Sequence, residues 1–210
     1  KTGHLIVSSG ERSDLETRPL AQDLKSTLGK LVRITKEGQA AADNPFAGNA
    51  DALPEIYSYG HRNPQGLSFH PETGDLWSSE FGPKGGDELN RVEAGKNYGW
   101  PTITYGVEYS GKEIGNPPIQ AKEGLEQPIY YWDPVSPSGM TFYTADAIPE
   151  WKNNLFITGL SSTHIARLVI EGNKVVGEER ILAKEGERFR DIIQGLNGEL
   201  FTVTDSGKLY

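Results

Sequence analysis

Cysteine is absent from this chain of 210 residues, which excludes disulfide bonds, thiol catalysis and zinc sites with cysteine ligands. Long apolar runs are also absent: none approaches the roughly 18 residues that span a bilayer, so we expect no membrane span. Positive charge is scarce, because 21 lysines and arginines face 29 aspartates and glutamates, for a net charge of −8 without a basic cluster. Since phosphate binding requires clustered cations, we expect no nucleic-acid partner.

Helical periodicity is weak along most of the chain, and we predict short helices only at residues 19–26 and 87–91. Short apolar runs that follow turns are common instead, and several form pairs typical of β-hairpins. The paired runs are residues 66–69 with 74–77, 139–143 with 153–157, 164–170 with 174–182, and 191–193 with 198–203. Further strands are predicted at residues 3–7 and 30–34.

Four leucines mark successive runs at the irregular separations of 71, 79 and 45 residues, namely Leu5, Leu76, Leu155 and Leu200. Such spacing suits a β-propeller whose blades carry insertions of different length, although an irregular β-sandwich remains open. We predict a single all-β domain over residues 1–210. Its long insert, around residues 101–127, is the kind of segment that carries function.

Polar residues that could bind a cofactor or a cation are concentrated between residues 59 and 101. Several sequence strings occur there and elsewhere in a fixed order: AQDL (21–24), GKLVRI (29–34), RNPQG (62–66), EFGPKGGDELN (80–90), KNYGWP (96–101), EQPIYYW (126–132) and RFRD (188–191). Together they closely resemble the glucose/sorbosone dehydrogenase family, soluble sugar dehydrogenases that use pyrroloquinoline quinone (PQQ). The resemblance covers about residues 3–205.

The resemblance implies a β-propeller of the six-bladed type, with about four blades in this chain. It implies an enzyme that oxidises aldose sugars to lactones by calcium-assisted hydride transfer to PQQ and passes electrons to an outside acceptor. It also implies a periplasmic or secreted protein. The alternative is a calcium-binding propeller that has lost the cofactor and serves as an extracellular binding module.

In this family the arginine, asparagine and glutamine of the RNPQG string contact the quinone, which here means Arg62, Asn63 and Gln65. Negative charge grows on a quinone oxygen as hydride arrives, and a guanidinium and an amide can be aimed at that oxygen beforehand. We therefore expect Arg62 to act in catalysis. In the alternative interpretation Arg62 supports a loop and Gln65 caps a turn.

Calcium is the second component that the resemblance implies. In relatives the backbone oxygens of a Gly-Pro pair, here Gly82 and Pro83, hold a calcium ion, and a hard cation prefers such oxygen ligands. Asp87, Glu88 and Tyr98 resemble a second calcium site, to which we add Glu108 as the further acid usual in the insert of relatives. Alternatively, Asp87 and Glu88 are acids of a solvated loop end or of a helix N-terminus.

Two arginines near the C-terminus, Arg188 and Arg190, resemble those that hold the acidic edge of the cofactor. Alternation along a strand places both on one face, where they suit a planar polyanion. As structural residues they would instead pair with Glu185, Glu187 or Asp205. Likewise, Trp132 and Tyr130 lie where relatives stack on sugar or cofactor, and ordinary core aromatics are an equal alternative.

Two features depart from the family pattern. Ser161 stands in a loop where relatives often carry a lysine, and the histidine that serves as the family's base belongs to a segment that precedes this chain. Glu11 resembles the acid that orients that histidine. His61 directly precedes Arg62 but should face the opposite side, so we assign no catalytic histidine.

The chain begins at Lys1, and we expect a processed, tagged or truncated end. A six-bladed propeller needs more residues than are present, so we expect the middle and C-terminal part of a longer protein. An open arc of blades with two unpaired strand edges would favour self-association.

Overall fold

The computed structural model describes residues 3–210, which form thirteen β-strands and three short 3-10 helices, with no α-helix among them. The strands are β1 (Leu5–Ser9), β2 (Lys30–Ile34), β3 (Ile56–Tyr59), β4 (Pro64–Phe69), β5 (Leu76–Glu80), β6 (Asp87–Val92), β7 (Tyr130–Trp132), β8 (Pro137–Phe142), β9 (Leu155–Gly159), β10 (Ile165–Glu171), β11 (Lys174–Ile181), β12 (Phe189–Gln194) and β13 (Leu200–Thr204). The 3-10 helices are Arg18–Ala21, Pro149–Trp151 and Ala183–Glu185. No helix in this part of the chain could cross a membrane.

Sequential strands build four sheets, ordered β1-β2-β3, β4-β5-β6-β7, β8-β9-β10-β11 and β12-β13. The pairings described within them are antiparallel. The all-β prediction is therefore confirmed, as are the four hairpins expected from the turn residues. The number of sheets agrees with the expectation of about four blades.

Two compact units divide the chain. The first unit contains the described residues up to Pro64, together with residues 82–84 and 92–127. The second unit contains residues 65–81, 85–91 and 128–210. That residues 1–210 form one domain stays a prediction.

The helix predicted at residues 87–91 is wrong, because these residues belong to strand β6. Asp87 and Leu89 pair with Trp132 and Tyr130 of β7, and Leu89 is fully buried. Charged residues in a short segment mimic a helix start, but pairing with a strand some forty positions away decides the conformation. The other helix prediction, at residues 19–26, overlaps a single 3-10 turn.

A buried lysine ties strand β2 of the first unit to the 3-10 helix before it. The ammonium of Lys30 donates to the carbonyl oxygens of Leu20, Ala21 and Leu28 at 2.8–2.9 Å. Burial lowers the pKa of Lys30 to about 8. These bonds fix the 3-10 helix that carries Arg18.

The second unit holds the larger apolar core. Trp77, Leu89, Trp132, Leu155 and Leu168 form one buried cluster from strands β5 to β10. A smaller cluster, built around Tyr143, Phe156, Ile165, Phe189 and Ile192, lies beneath the sheet of β12 and β13.

Candidate active site

The KNYGWP turn brings an indole beside Arg62 in the first unit. The backbone amides of Tyr98 and Trp100 each donate, at 2.8 Å, to the carbonyls of Tyr59 and Gly60 respectively. Gly60 has φ of +75°, and a Cβ there would lie 2.1 Å from the amide oxygen of Asn97, so only glycine allows this close approach. The turn is thereby docked along the backbone that leads into Arg62.

Arg62 is only 4% exposed, and its guanidinium carbon lies 5.4 Å from the centre of the Trp100 ring. Its Nη2 donates to Ser13 Oγ at 3.4 Å and to the Tyr109 hydroxyl at 3.5 Å. The charge is thus oriented by an aromatic face and by two long hydrogen bonds.

Glu11 is the second buried charged group of this site. Its backbone amide donates to the Arg62 carbonyl at 2.9 Å, and its side chain is fully buried. By geometry neither carboxylate oxygen accepts a hydrogen bond from residues 3–210. Burial raises the pKa of the Glu11 carboxyl, although the Arg62 guanidinium and the nearby Ser13 backbone amide act to lower it. An unsatisfied buried carboxylate is costly, which is typical of a position kept for chemistry.

Arg18 links the 3-10 helix to the long insert. Its two terminal nitrogens donate to the two carboxylate oxygens of Glu108 at 2.6 and 3.1 Å, and its guanidinium carbon lies 5.1 Å from the Trp100 ring centre. The hydrogen bonds from Arg18 lower the pKa of Glu108. Both carboxylate oxygens of Glu108, the acid that the sequence added to the calcium site, are therefore engaged by an arginine.

The Gly-Pro pair expected to offer backbone oxygens lies in the same unit. Gly82 and Pro83 are buried, and the next residue, Lys84, exchanges two backbone hydrogen bonds with Val107 at 2.9 and 3.1 Å. This bridge anchors the Gly-Pro loop to the insert, next to Glu108.

Asn63 and Gln65 are placed differently. Asn63 is half-buried in the first unit, and a Cβ on Gly10 would lie 2.5 Å from its amide oxygen, so this amide packs directly on backbone. Gln65 is exposed and belongs to strand β4 of the second unit.

Oxygen ligands gather around strand β6 in the second unit. Asn90 Nδ2 donates to Glu80 Oε1 at 2.9 Å and to Glu88 Oε2 at 3.2 Å, while Asn90 Oδ1 is buried without a hydrogen bond from the described residues. Burial, followed by the Glu80 carboxylate, raises the pKa of Glu88 to about 8. The buried Glu80 carboxyl and the half-buried Glu88 carboxyl, beside an unsatisfied amide oxygen, fit a hard cation.

The other residues of the expected second calcium site have separate partners. Asp87 Oδ2 accepts from the amides of Val135 and Ser136 at 2.8 and 2.7 Å. Tyr98 belongs to the first unit, where its ring stacks on His61 at 4.7 Å and its hydroxyl accepts from the Glu93 amide. Across residues 3–210 no three histidine, aspartate or glutamate side chains form a metal-binding group.

Arg188 and Arg190 share one partner in the second unit, while the strand alternation proposed for them stays a prediction, because Arg188 precedes β12 and the register shifts between Phe189 and Asp191. Both are exposed, and both Nε atoms donate to the Asp205 carboxylate, at 2.8 Å from Arg188. Arg190 and Arg188 lower the pKa of Asp205. The structure thus contains one of the ion pairs that the sequence left open.

Trp132 is a core residue of the second unit at 5% exposure. Its indole nitrogen and the Tyr130 hydroxyl both donate to Glu178 Oε2, at 3.0 and 3.1 Å, and the two rings meet edge to face. Ser161 accepts a hydrogen bond from Ser136 Oγ at 2.8 Å. His61 contacts Ser58 at 2.8 Å and the Tyr98 ring.

The sequence missed four members of the Arg62 site, namely Trp100, Arg18, Ser13 and Tyr109. Trp100 belongs to the KNYGWP string, but nothing in the sequence predicted that its ring packs against Arg62. Arg18 and Tyr109 carried no signal, because a single charge in a short helix and a single tyrosine in an insert are common on any surface.

The chain is similar to known sugar dehydrogenases in sequence and in structure. A model described as "Glucose / Sorbosone dehydrogenase" matches residues 1–210. The aldose sugar dehydrogenase of Escherichia coli (strain K12) is 44% identical over 210 residues, which are 99% of this chain and 56% of that protein. The chain spans about half the length of the curated relatives it matches.

Solved structures agree. A glucose dehydrogenase crystal structure matches with a TM-score of 0.94 and 46% identity, covering 100% of this chain and 60% of that one. The PQQ-bound aldose sugar dehydrogenase of Streptomyces coelicolor matches with a TM-score of 0.73 and 31% identity, covering 96% and 52%. The fold is therefore that of the β-propeller sugar dehydrogenases. The chain belongs to the glucose/sorbosone dehydrogenase family.

Proposed function

We propose that the complete protein oxidises aldose sugars to lactones with PQQ as hydride acceptor, assisted by calcium, and passes the electrons to an outside acceptor. The observation that carries the proposal is the pairing of Arg62 and Glu11. A buried guanidinium beside a buried, unsatisfied carboxylate is costly in a scaffold and useful in a site that handles charge and protons. The names of the relatives, one of them solved with PQQ, support the same reaction.

Bound PQQ supplies the electrophilic carbonyl that takes the hydride. Arg62 and Asn63 of the first unit would stabilise the negative charge that develops on the acceptor oxygen. Gln65, Arg188 and Arg190 of the second unit would hold the polar and acidic edges of the cofactor.

Glu11 is assigned a supporting part in proton transfer. Its free oxygens can accept an N–H from a cationic imidazole and hold that base in one orientation. The resemblance implies such a histidine, and no histidine of this chain is assigned to the role. We therefore propose that the 210-residue chain alone does not turn over, even where it binds cofactor.

Calcium would be held by the carbonyls of Gly82 and Pro83 and, at a second site in the second unit, by Asp87 and Glu88. The buried oxygens around Glu88 support the second assignment. We also propose a periplasmic or secreted location, which cell fractionation would test.

Dye reduction tests the function directly. The complete gene product is mixed with PQQ, calcium, glucose and a dye acceptor, and we expect sugar-dependent dye reduction that a chelator abolishes. If no dye is reduced and no quinone binds, the enzyme proposal is refuted. Calcium binding without quinone binding would instead favour the extracellular binding module.

A further inference from the structure

The aromatic residues that the sequence offered for sugar stacking are poorly placed for it. Trp132 is buried in the core of the second unit, and Tyr130 is half-buried with its hydroxyl on Glu178. Two tyrosines of the described chain are more than half exposed, Tyr109 at 70% and Tyr131 at 53%. Of these, Tyr109 contacts a residue of the candidate active site.

A tight turn presents Tyr109 from the long insert. The Glu108 amide donates to the Lys112 carbonyl at 2.7 Å, and the Gly111 amide donates to the Glu108 carbonyl at 2.8 Å. Gly111 has φ of +87°, which a turn of this kind requires. Tyr109 lies near the tip of this turn, directly after Glu108.

The N-terminal side of the turn is held by two anchors. Arg18 fixes the Glu108 side chain through two hydrogen bonds, and Val107 is bridged to Lys84 through two more. An exposed aromatic ring on so well anchored a turn loses little conformational entropy when a ligand packs on it.

The Tyr109 hydroxyl faces the site while its ring remains open. The hydroxyl lies 3.5 Å from Arg62 Nη2, and Arg62 itself is almost entirely buried. A sugar has an apolar C–H face and a rim of hydroxyls, which suits an aromatic ring with a polar group beside it.

We propose that Tyr109 is the aromatic platform against which the aldose ring packs next to Arg62. The inference rests on the proposed function and adds a specificity-determining contact to it.

The test compares Tyr109→Ala, Tyr109→Phe and the matched control Tyr131→Ala in the complete gene product. Binding of anhydroglucitol, which keeps the glucose ring without its anomeric hydroxyl, is measured by calorimetry. KM and kcat for glucose are measured by dye reduction, and quinone affinity by absorbance titration. Melting temperatures establish that each variant is folded.

Tyr109→Ala should weaken anhydroglucitol binding and raise KM for glucose about three- to tenfold, the range expected for loss of one aromatic contact. Its quinone affinity should stay within about twofold of wild type. Tyr109→Phe should retain most of the sugar affinity, because it keeps the ring, and Tyr131→Ala should match wild type.

Three outcomes separate the inference from the proposed function. If the wild type turns over and Tyr109→Ala has the same KM for glucose and the same anhydroglucitol affinity, the inference alone is overturned. The same holds if Tyr109→Phe loses as much sugar affinity as Tyr109→Ala. A wild type that binds anhydroglucitol through Tyr109 but reduces no dye supports the platform and refutes the reaction. A wild type that neither binds the probe nor reduces dye overturns both.

Discussion

A guanidinium is expensive to remove from water, yet Arg62 is almost wholly buried against the Trp100 ring. The RNPQG string led to the prediction of a role for this residue, because residue types and their order can be read from the sequence alone, and that role stays a prediction. Its neighbours Ser13 and Tyr109 were not identified, since they come from segments 49 and 47 positions away.

Arg62→Ala should reduce turnover about a hundredfold in the complete protein, the effect typical of losing one oriented donor to developing charge. Quinone affinity should fall much less, because the other proposed contacts remain. Steady-state dye reduction and an absorbance titration measure the two quantities. Arg62→Lys keeps the charge without the planar fork, so its turnover should lie between those of wild type and Arg62→Ala. An unchanged turnover in Arg62→Ala would remove Arg62 from the mechanism.

Glu11→Gln should stabilise the fold at pH 7 by roughly 1 kcal/mol, because it removes the ionisation of a buried, unsatisfied carboxyl. The pKa of Glu11 is raised above its ordinary value of 4.5, so the folded state binds the proton more tightly than the unfolded state. The contribution of this carboxyl to stability therefore decreases as the pH rises from 4.5 through the folded pKa.

Urea unfolding at several pH values checks this prediction. The advantage of Glu11→Gln should shrink as the pH is lowered toward 4.5. Glu16→Gln, which alters an exposed acid of the same loop, is the control and should leave stability within about 0.5 kcal/mol. A Glu11→Gln variant less stable than wild type at pH 7 would contradict the expected cost of burial.

Among the elements, an ion pair joins the long insert to the 3-10 helix, next to a buried apolar contact of Ala21 with Trp100 and Ile114. The Arg18–Glu108 pair has both hydrogen bonds in place, and its side chains are 15% and 26% exposed. Trp100 supports the same arginine. This arrangement joins residues 90 positions apart, which no local pattern in the sequence reveals.

A double-mutant cycle with Arg18→Met and Glu108→Gln should show a coupling free energy of about 1–2 kcal/mol, because the pair is two-pronged and partly shielded from water. The exposed Lys25–Asp51 pair provides a matched comparison within the same unit. Its coupling should be below about 1 kcal/mol. If denaturant unfolding gives equal coupling free energies for the two pairs, the two-pronged geometry of Arg18–Glu108 does not add to stability.

For the molecule as a whole, the proposed calcium ions should stabilise the folded state by mass action. Calcium should raise the melting temperature. At a calcium concentration of a hundred times the Kd, one bound ion should increase the free energy of unfolding by about 2.7 kcal/mol. Glu88→Gln should reduce the effect, and Glu171→Gln, an exposed acid of the same unit, should not.

The calcium effect should also depend on pH. Since the pKa of Glu88 is raised to about 8, protons compete with the cation below that pH, and affinity should increase from pH 6 to pH 8. Thermal melts across this range give the answer, and a melting temperature insensitive to calcium would refute the assignment.

Self-association also belongs to this scale and stays a prediction. Strand β1 is an outer strand of its sheet and carries the exposed apolar side chains Leu5 and Val7. The outer edge of β13 is instead covered by the C-terminal residues, since Thr202 and Tyr210 exchange two backbone hydrogen bonds at 2.9 and 3.1 Å. An unpaired strand edge favours association. Sedimentation velocity over a range of concentrations would detect it, and a constant monomer would refute it.

The sequence by itself determined the all-β class, the hairpins and the family, because turn residues, two-residue alternation and ordered motifs are local properties of the chain. Only the tertiary structure decided that residues 87–91 form a strand, that Trp132 is buried and that Glu108 pairs with Arg18. It also placed Glu11 and Arg62 together. Each of these outcomes depends on contacts between segments far apart in sequence, where burial and pairing outweigh local preference.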